Sequence, residues 1–459
     1  MVVHSIISMK TTKGVVDMPK KLLKNAYVLI SADDDVEKFD ILIDGDEIED
    51  LLAPGDSNEV DLGDVDEYDL TGKLIVPGFI NTHSHSVMSY FRGIADDLSL
   101  NDWLFKEMLP REDFLESEMS YYGALVSMLE MISNGITTFV DMYMFTDEIA
   151  KAAYDLGIRA YISRGLSFDT DEGWNRRIKE NIETYEKYNG LDNRIYIGFG
   201  PHAPYTVPMD KLKEVAKIAK KYNTHIQIHL LESANERKQY NLLDVENTGL
   251  FDLPTIAAHC VHVDEKDIEV LSRNEVNVAY NPISNMKLGN GIAPIVDMLD
   301  KNINITFGTD GCASNNSLNF FNEMKFGGIL QKYKYGPDRF SVEQILRMSW
   351  ENGGFALETN IGRLEPEFKA DLVILDMDSF EFLPNDLSRL KSHIVYSANP
   401  KNVFATMVAG KFLYYNGEFL TLKEEKEQIY EKFHNFYQRI EDKYNNSDHS
   451  DSHNDDRDI

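Results

Sequence analysis

Read as a pattern of apolar and polar positions, the centre of the chain breaks into short β-rich runs separated by amphipathic stretches. The runs are LIVPGFINTHSH (74–85), ITTFVDM (136–142), IRAYISR (158–164), RIYIGFGPH (194–202), THIQIHL (224–230), TIAAH (255–259), VNVAYN (276–281) and INITFGTD (303–310). Runs of this kind, rich in β-branched and aromatic residues and bounded by turn formers, read as strands. Between them lie segments such as PMDKLKEVAKIAKKYN, where Leu212, Val215, Ala216 and Ala219 follow helical spacing behind Thr206, a candidate cap. Eight such units predict an α/β fold, a (β/α)8 TIM-like barrel over residues 77–364, with chemistry at the C-terminal ends of its strands.

Toward the end of the chain, Leu422, Ile429, Phe433, Phe436 and Ile440 stand near helical spacing and predict a helix over 421–444 packed on the body, to which no function attaches. From 445 to 459 the sequence NNSDHSDSHNDDRDI has no apolar residue before the last, so burial cannot offset its ordering entropy and an acidic disordered tail is expected. His449 and His453 read there as solvated side chains. The first residues, 1–17, carry no continuous apolar segment or small-residue cleavage site. They read as a flexible extension, or as sequence upstream of a true start at Met18.

Composition narrows the partners. A chain of 459 residues, 43% hydrophobic, can bury more than one domain's core. Its formal net charge of −31 repels phosphate backbones and anionic lipids, which argues against nucleic acid and membranes and for a small neutral or zwitterionic substrate. No apolar run approaches the roughly 18 residues that span a bilayer. Cys260 and Cys312 are the only cysteines, so a reducing compartment, the cytoplasm, is expected rather than a disulfide framework.

The polar residues at the run ends carry the candidate chemistry. His83 and His85 are two apart and so point to one face of a strand. His-x-His alone is common on surfaces and in cores. Here, however, His229 closes the fifth run, His259 the sixth and Asp310 the eighth, and a closed barrel gathers such positions around one mouth. A set of imidazoles and one carboxylate suits zinc or iron, with room left for water.

The motifs PGFINTHSHSVMSYFRGIADDLSLNDWL, GPHAPYTVP, IHLLES, AAHCVH and FGTDGCASNNSLN, in that order, resemble the amidohydrolase superfamily, in particular its branch of 5′-deoxyadenosine and 5′-methylthioadenosine/S-adenosylhomocysteine deaminases. The resemblance spans about Asn25 to Phe419. It implies His83, His85, His229 and Asp310 as ligands of one divalent metal per subunit, zinc, with iron as the alternative. One ion is expected because IYIGFGPHAPY lacks the lysine that bridges two metals in binuclear relatives. Glu232 would protonate N1 of adenine and then the departing amine, while His259 and Asp310 would orient the attacking water and accept its proton. Trp103 would stack near the nucleoside, and Glu112 would accept hydrogen bonds from both ribose hydroxyls. Arg164, Arg176 or Arg177 (with Arg177 preferred) and His202 would approach the 5′ substituent, and Ser314 would line the pocket.

The same resemblance implies a composite β-sandwich domain built from 18–76 and 365–420, where Asp/Gly turns and alternating apolar residues independently support strands. The implied activity is deamination of 5′-deoxyadenosine, 5′-methylthioadenosine, S-adenosylhomocysteine and, more slowly, adenosine, which would recycle products of S-adenosylmethionine-using enzymes. A homo-oligomer, tetramer or dimer, is implied too. Two other readings compete: a deaminase or chlorohydrolase of another nitrogen heterocycle, such as guanine or a triazine, and a non-enzymatic scaffold that has kept the fold.

Overall fold

The computed structural model describes residues 19–58 and 64–447, so the expected 1–17 extension and all but the start of the expected tail lie outside the described residues. The N-terminal strands are β1 (Lys20–Val28), β2 (Glu37–Asp44), β3 (Glu47–Leu52), β4 (Val65–Asp69) and β5 (Lys73–Pro77), of which β2 and β5 carry continuous buried runs. A bulge between Leu23 and Ala26 interrupts the β1–β2 ladder, and Asn25, with φ 65°, turns its N–H onto Asp40 at 2.8 Å.

The barrel strands follow as β6 (Phe79–Ser84), β7 (Ile136–Tyr143), β8 (Arg159–Leu166), β9 (Ile195–Pro201), β10 (Ile226–Leu230), β11 (Thr255–His259), β12 (Asn277–Tyr280) and β13 (Ile305–Phe307). They run in sequential order and parallel, with helices between most of them. All eight residues of β7 are buried, as expected of a parallel strand covered on both faces. Between β13 and β6 side chains complete the closure: Thr82 Oγ1 donates to the Phe307 carbonyl at 3.0 Å, and Asn81 Oδ1 accepts from the Thr309 N–H at 2.9 Å. Tyr161 stacks on Tyr196 with ring centroids 4.9 Å apart and, with Ile80, Val140 and Ile361, belongs to an apolar cluster inside the barrel.

The C-terminal strands β14 (Leu372–Asp376), β15 (Val403–Val408), β16 (Lys411–Tyr415) and β17 (Glu418–Phe419) return to β5, giving one nine-stranded mixed sheet from both chain ends. The sheet is continuous in its hydrogen bonding yet folds across itself: Tyr68 of β4 meets Phe412 of β16 edge-on at 5.0 Å over an apolar core including Leu23, Ile43, Ile374 and Met407. Arg159 of β8 joins this sheet to the barrel through a buried pair with Asp371 at 2.7 and 3.1 Å.

Two runs differ in extent from the sequence expectation. Run 74–85 is two strands in two sheets, split at Gly78, where a Cβ would lie 2.1 Å from Thr137 Oγ1. The eighth run pairs only over Ile305–Phe307, because the chain beyond turns inward to place Asp310 with φ 60°. The final helix, Lys426–Asn445, buries Ile429, Phe436, Ile440 and Tyr444 against the body and stacks Phe433 on Tyr90 at 4.3 Å. Among the described residues no helix is long and apolar enough to cross a membrane.

A candidate metal centre at the barrel mouth

At the C-terminal ends of the strands, five side chains converge. His83 lies in β6, His85 just past it, His229 in β10, His259 at the end of β11 and Asp310 beyond β13. Asp310 Oδ1 is 3.5 Å from His83 Nε2 and 3.2 Å from His85 Nε2, and His229 Nε2 is 3.3 Å from His85 Nε2. His83, His85 and Asp310 form one compact set of potential ligand atoms, and His83, His229 and His259 a second that shares His83. Leu231, His259, Cys260 and Asp310 all have positive φ, at 47, 74, 47 and 60°, so strained backbone holds side chains at this mouth.

Backbone carbonyls orient two of the rings. His85 Nδ1 is 2.7 Å from the Met142 oxygen and His229 Nδ1 is 2.7 Å from the His202 oxygen. A carbonyl only accepts, so Nδ1 carries the proton and Nε2 is left as a donor of electrons toward the centre. His83 Nε2 is buried without a hydrogen-bond partner. Unpartnered imidazole nitrogens facing one carboxylate are a donor set that fits a divalent ion of the zinc or iron type.

Electrostatics sharpen the division of labour. Burial, opposed by Asp310, brings His83 down to about 4, and burial with the neighbouring His202 and His83 holds His229 well below its usual value. Burial also opposes the charged form of His85, yet Asp310 beside it raises it to about 9. Asp310 itself, although buried, is held well below the usual carboxylate range by His83 and His85.

Glu232 stands just beyond β10 with Oε2 3.6 Å from His259 Nε2. Burial, Asp310 and Glu236 push its carboxyl well above the normal range, and a hydrogen bond from Asn290 pulls the other way. His259 Nδ1 is 2.8 Å from Asn285 Oδ1. Ser284 and Ser314 donate to Asp310 Oδ2 at 2.6 and 2.8 Å. Asn290, Asn285 and Ser284 had no part in the sequence reading: they sit in NPISNMKLGN after β12, where the only signal is a cluster of short polar residues at a strand end. Ser314, expected on the pocket wall, is buried with its hydroxyl committed to Asp310.

The expected substrate contacts divide. Glu112 accepts from the Tyr143 hydroxyl at 2.5 Å, and the Tyr143 ring lies 6.3 Å from that of His85. Glu112, Arg164 and Arg176 line a cavity of about 460 Å³. Arg177 is not on that lining, because its guanidinium makes two bonds to Asp169 at 2.7 and 3.0 Å; the helix Asp171–Tyr188 brings Arg176 there instead. Arg164 Nε is already engaged with Glu180 at 2.9 Å. His202 packs 4.8 Å from the His229 ring, its Nδ1 on Thr206 at 2.8 Å. Trp103 is buried on the segment leading to Glu112, with Nε1 unpartnered among the described residues. A larger cavity, about 640 Å³, is lined by Pro254, Asn277 and Glu351 at the opposite end of the barrel and holds none of these candidates.

Comparison with known proteins gives concordant findings. The model of the Amidohydrolase family matches residues 74–413. A 5-methylthioadenosine/S-adenosylhomocysteine deaminase of Thermotoga maritima is 44% identical over 360 residues, 78% of this chain and 87% of that protein. A 5′-deoxyadenosine deaminase of Methanobrevibacter smithii is 40% identical over 426 residues, 90% of this chain and 96% of that protein. Among solved structures, an adenosine deaminase from Xanthomonas campestris with bound zinc superposes with a TM-score of 0.84 at 27% identity, covering 92% of this chain and 99% of that one.

Proposed function

Because the chain belongs to the amidohydrolase family, we propose that it is a metal-dependent hydrolase that removes the exocyclic amine from adenine nucleosides altered at the 5′ position. The observation that carries the reading is the convergence of Glu232 and His259 on the side of the histidine–aspartate cluster next to Asp310. The substrate class is supported by the relatives at 44% and 40% identity, whose names specify 5′-modified adenosines.

Water adds at C6 of adenine, ammonia leaves and hypoxanthine remains. A divalent ion held by His83, His85, His229 and Asp310 would supply the Lewis acidity that makes water a competent nucleophile near neutral pH. We read the ion as zinc, with iron the alternative. Glu232, kept protonated by burial and by the charge of Asp310, donates to N1 of the ring, regains from His259, 3.6 Å away, the proton taken from water, and passes it to the departing amine. His259, held by Asn285 and kept neutral by burial, presents Nε2 to the water, and together with Asp310 accepts its proton. Glu112, fixed by Tyr143, accepts from the ribose hydroxyls, and Trp103 contributes an aromatic face beside the nucleoside. Arg164, His202 and, by its place on the cavity, Arg176 rather than Arg177 face the 5′ substituent. The reading includes a homo-oligomer in a reducing cytoplasm, the latter supported by two free buried thiols.

The test is the ultraviolet change from adenine to hypoxanthine with zinc-loaded protein and 5′-deoxyadenosine, 5′-methylthioadenosine, S-adenosylhomocysteine, adenosine, free adenine and guanine. Turnover of the 5′-modified nucleosides but not of the bases is expected. Silence on every nucleoside would overturn the assignment and direct attention to other heterocycles.

A further inference from the structure

The final helix, Lys426–Asn445, packs against the segment that carries Glu112 through contacts of Glu441 and Tyr444 with Arg111. Glu112 ends a stretch that runs from Leu100 through an irregular, wide helical turn, Trp103–Met108, to Leu109–Glu112. In this turn the backbone bonds run from i to i+5, as from the Leu109 N–H to the Leu104 carbonyl, a geometry that is rare and frequent at functional sites. Arg111, the neighbour of Glu112 in sequence, supplies an external anchor.

Arg111 is buried. Its Nη1 donates to Glu107 Oε2 at 2.6 Å and to the Glu107 carbonyl at 3.1 Å, within the same stretch. Its Nε donates to Glu441 Oε1 at 3.0 Å, and the guanidinium carbon lies 3.7 Å from the centre of the Tyr444 ring. Glu441 and Tyr444, three residues apart and so on one face of the final helix, are thereby both fastened to one side chain. An arginine can satisfy a planar stack and two carboxylates at once, which lysine cannot. The helix is itself well rooted: Phe433 stacks on Tyr90, Phe436 packs 5.8 Å from Tyr122, and Arg439 reaches Glu116 at 2.9 Å. At the end of the same stretch, Glu112 lines the cavity and accepts from the Tyr143 hydroxyl. Displacing Arg111 therefore moves the acceptor facing the substrate.

We propose that Arg111, clamped between Glu107, Glu441 and the Tyr444 ring, is a positioning residue that sets Glu112 against the ribose diol, so that the C-terminal helix takes part in substrate recognition. The proposal rests on the reading of Glu112 as the ribose acceptor. It makes recognition of the sugar depend on Glu441 and Tyr444, which lie far along the chain and do not line the cavity.

The experiment compares zinc-loaded wild type, Arg111→Ala, Arg111→Lys, Glu441→Gln and Tyr444→Leu with 5′-deoxyadenosine and with 2′,3′-dideoxyadenosine, which lacks both hydroxyls that Glu112 would bind. For 5′-deoxyadenosine, Arg111→Ala is expected to raise KM about tenfold with kcat within about twofold, an effect the size of one lost hydrogen bond to a charged group. Glu441→Gln and Tyr444→Leu follow in the same direction, and Arg111→Lys fails to rescue. With the dideoxy compound, kcat/KM of each variant stays within about twofold of wild type, and adding Arg111→Ala to Glu112→Gln changes KM for 5′-deoxyadenosine no further. An unchanged KM in Arg111→Ala and Glu441→Gln overturns the proposal while leaving the deaminase reading intact. Equal losses on both nucleosides overturn it too, because they mark general loosening of the fold. Wild type inactive on all nucleosides removes the reading and the proposal with it.

Discussion

Asn290 donates from Nδ2 to Glu232 Oε1 at 2.9 Å, and Asn290 belongs to a different loop from the acid it touches. The contact opposes the dominant influence on Glu232, since burial and nearby carboxylates favour the protonated form whereas the Asn290 amide favours the carboxylate. If protonated Glu232 starts the reaction, activity is present below its raised pKa and lost as pH rises through it. Replacing Asn290 by Leu removes the donor, raises that pKa further and moves the alkaline limb of the kcat profile upward, by up to about one pH unit for one hydrogen bond. A limb that stays put or moves toward acid contradicts the assignment. Glu232→Gln should cost about 10²–10⁴ in kcat.

Ser284 and Ser314 converge on one oxygen of Asp310. Their hydroxyls orient the carboxylate, and loss of such supporting bonds typically weakens metal binding by about 10–100-fold. Ser314→Ala should therefore release the ion to a competing chelator at lower chelator concentration than wild type. Equal retention in both proteins would return Ser314 to a pocket-wall role.

A ligand that binds only the folded chain stabilises it by an amount that grows with the logarithm of its concentration, about 2.7 kcal/mol at one hundred times its dissociation constant. Adding zinc to stripped protein should raise the thermal midpoint, and His83→Asn should remove the increase, since His83 belongs to both ligand groupings. Elemental analysis should find about one divalent ion per chain. A midpoint indifferent to metal in wild type would argue for a scaffold.

Arg159 and Asp371 are fully enclosed, with side chains 0% and 1% exposed, where the barrel meets the composite sheet. Removing one partner strands a buried charge, which costs about 3–5 kcal/mol. Arg159→Met should lower the urea midpoint accordingly while leaving KM for the nucleoside unchanged, because the pair lies at the start of β8, away from the mouth. A change in KM larger than the change in stability would mean that the two ends of the barrel are coupled.

Much of this arrangement was legible in the residues, for a physical reason: a strand alternates its faces and a barrel gathers strand ends. Period two placed His83 and His85 together, and position at a strand end pointed to His229, His259 and Asp310. Irregular backbone was harder. No periodicity marks Asn285 or Asn290, which reach the site from a loop, and a run of unbroken apolar character concealed the change of sheet at Gly78. Choosing Arg176 over Arg177 on the cavity requires the phase of a helix whose neighbouring charges, Asp169 and Glu180, are themselves placed by tertiary structure. The final helix was visible in its spacing, but its grip on Arg111 was not, because contacts between distant segments leave no local pattern.

The pairing of β5 with β14 carries a consequence for the chain as it is made. During synthesis, β5 has one edge without its partner until the entire barrel has been translated, which at about 5–20 residues per second is a delay on the order of tens of seconds. An apolar strand edge left open that long invites pairing with another nascent chain. Ribosome-bound chains halted before Leu372 should show protease-sensitive N-terminal strands beside a barrel that has begun to resist cleavage, and chains extended past Val408 should protect both. The small sheet thus acts as a signature of progress in synthesis: the seam between the two ends closes only after the whole barrel has been made.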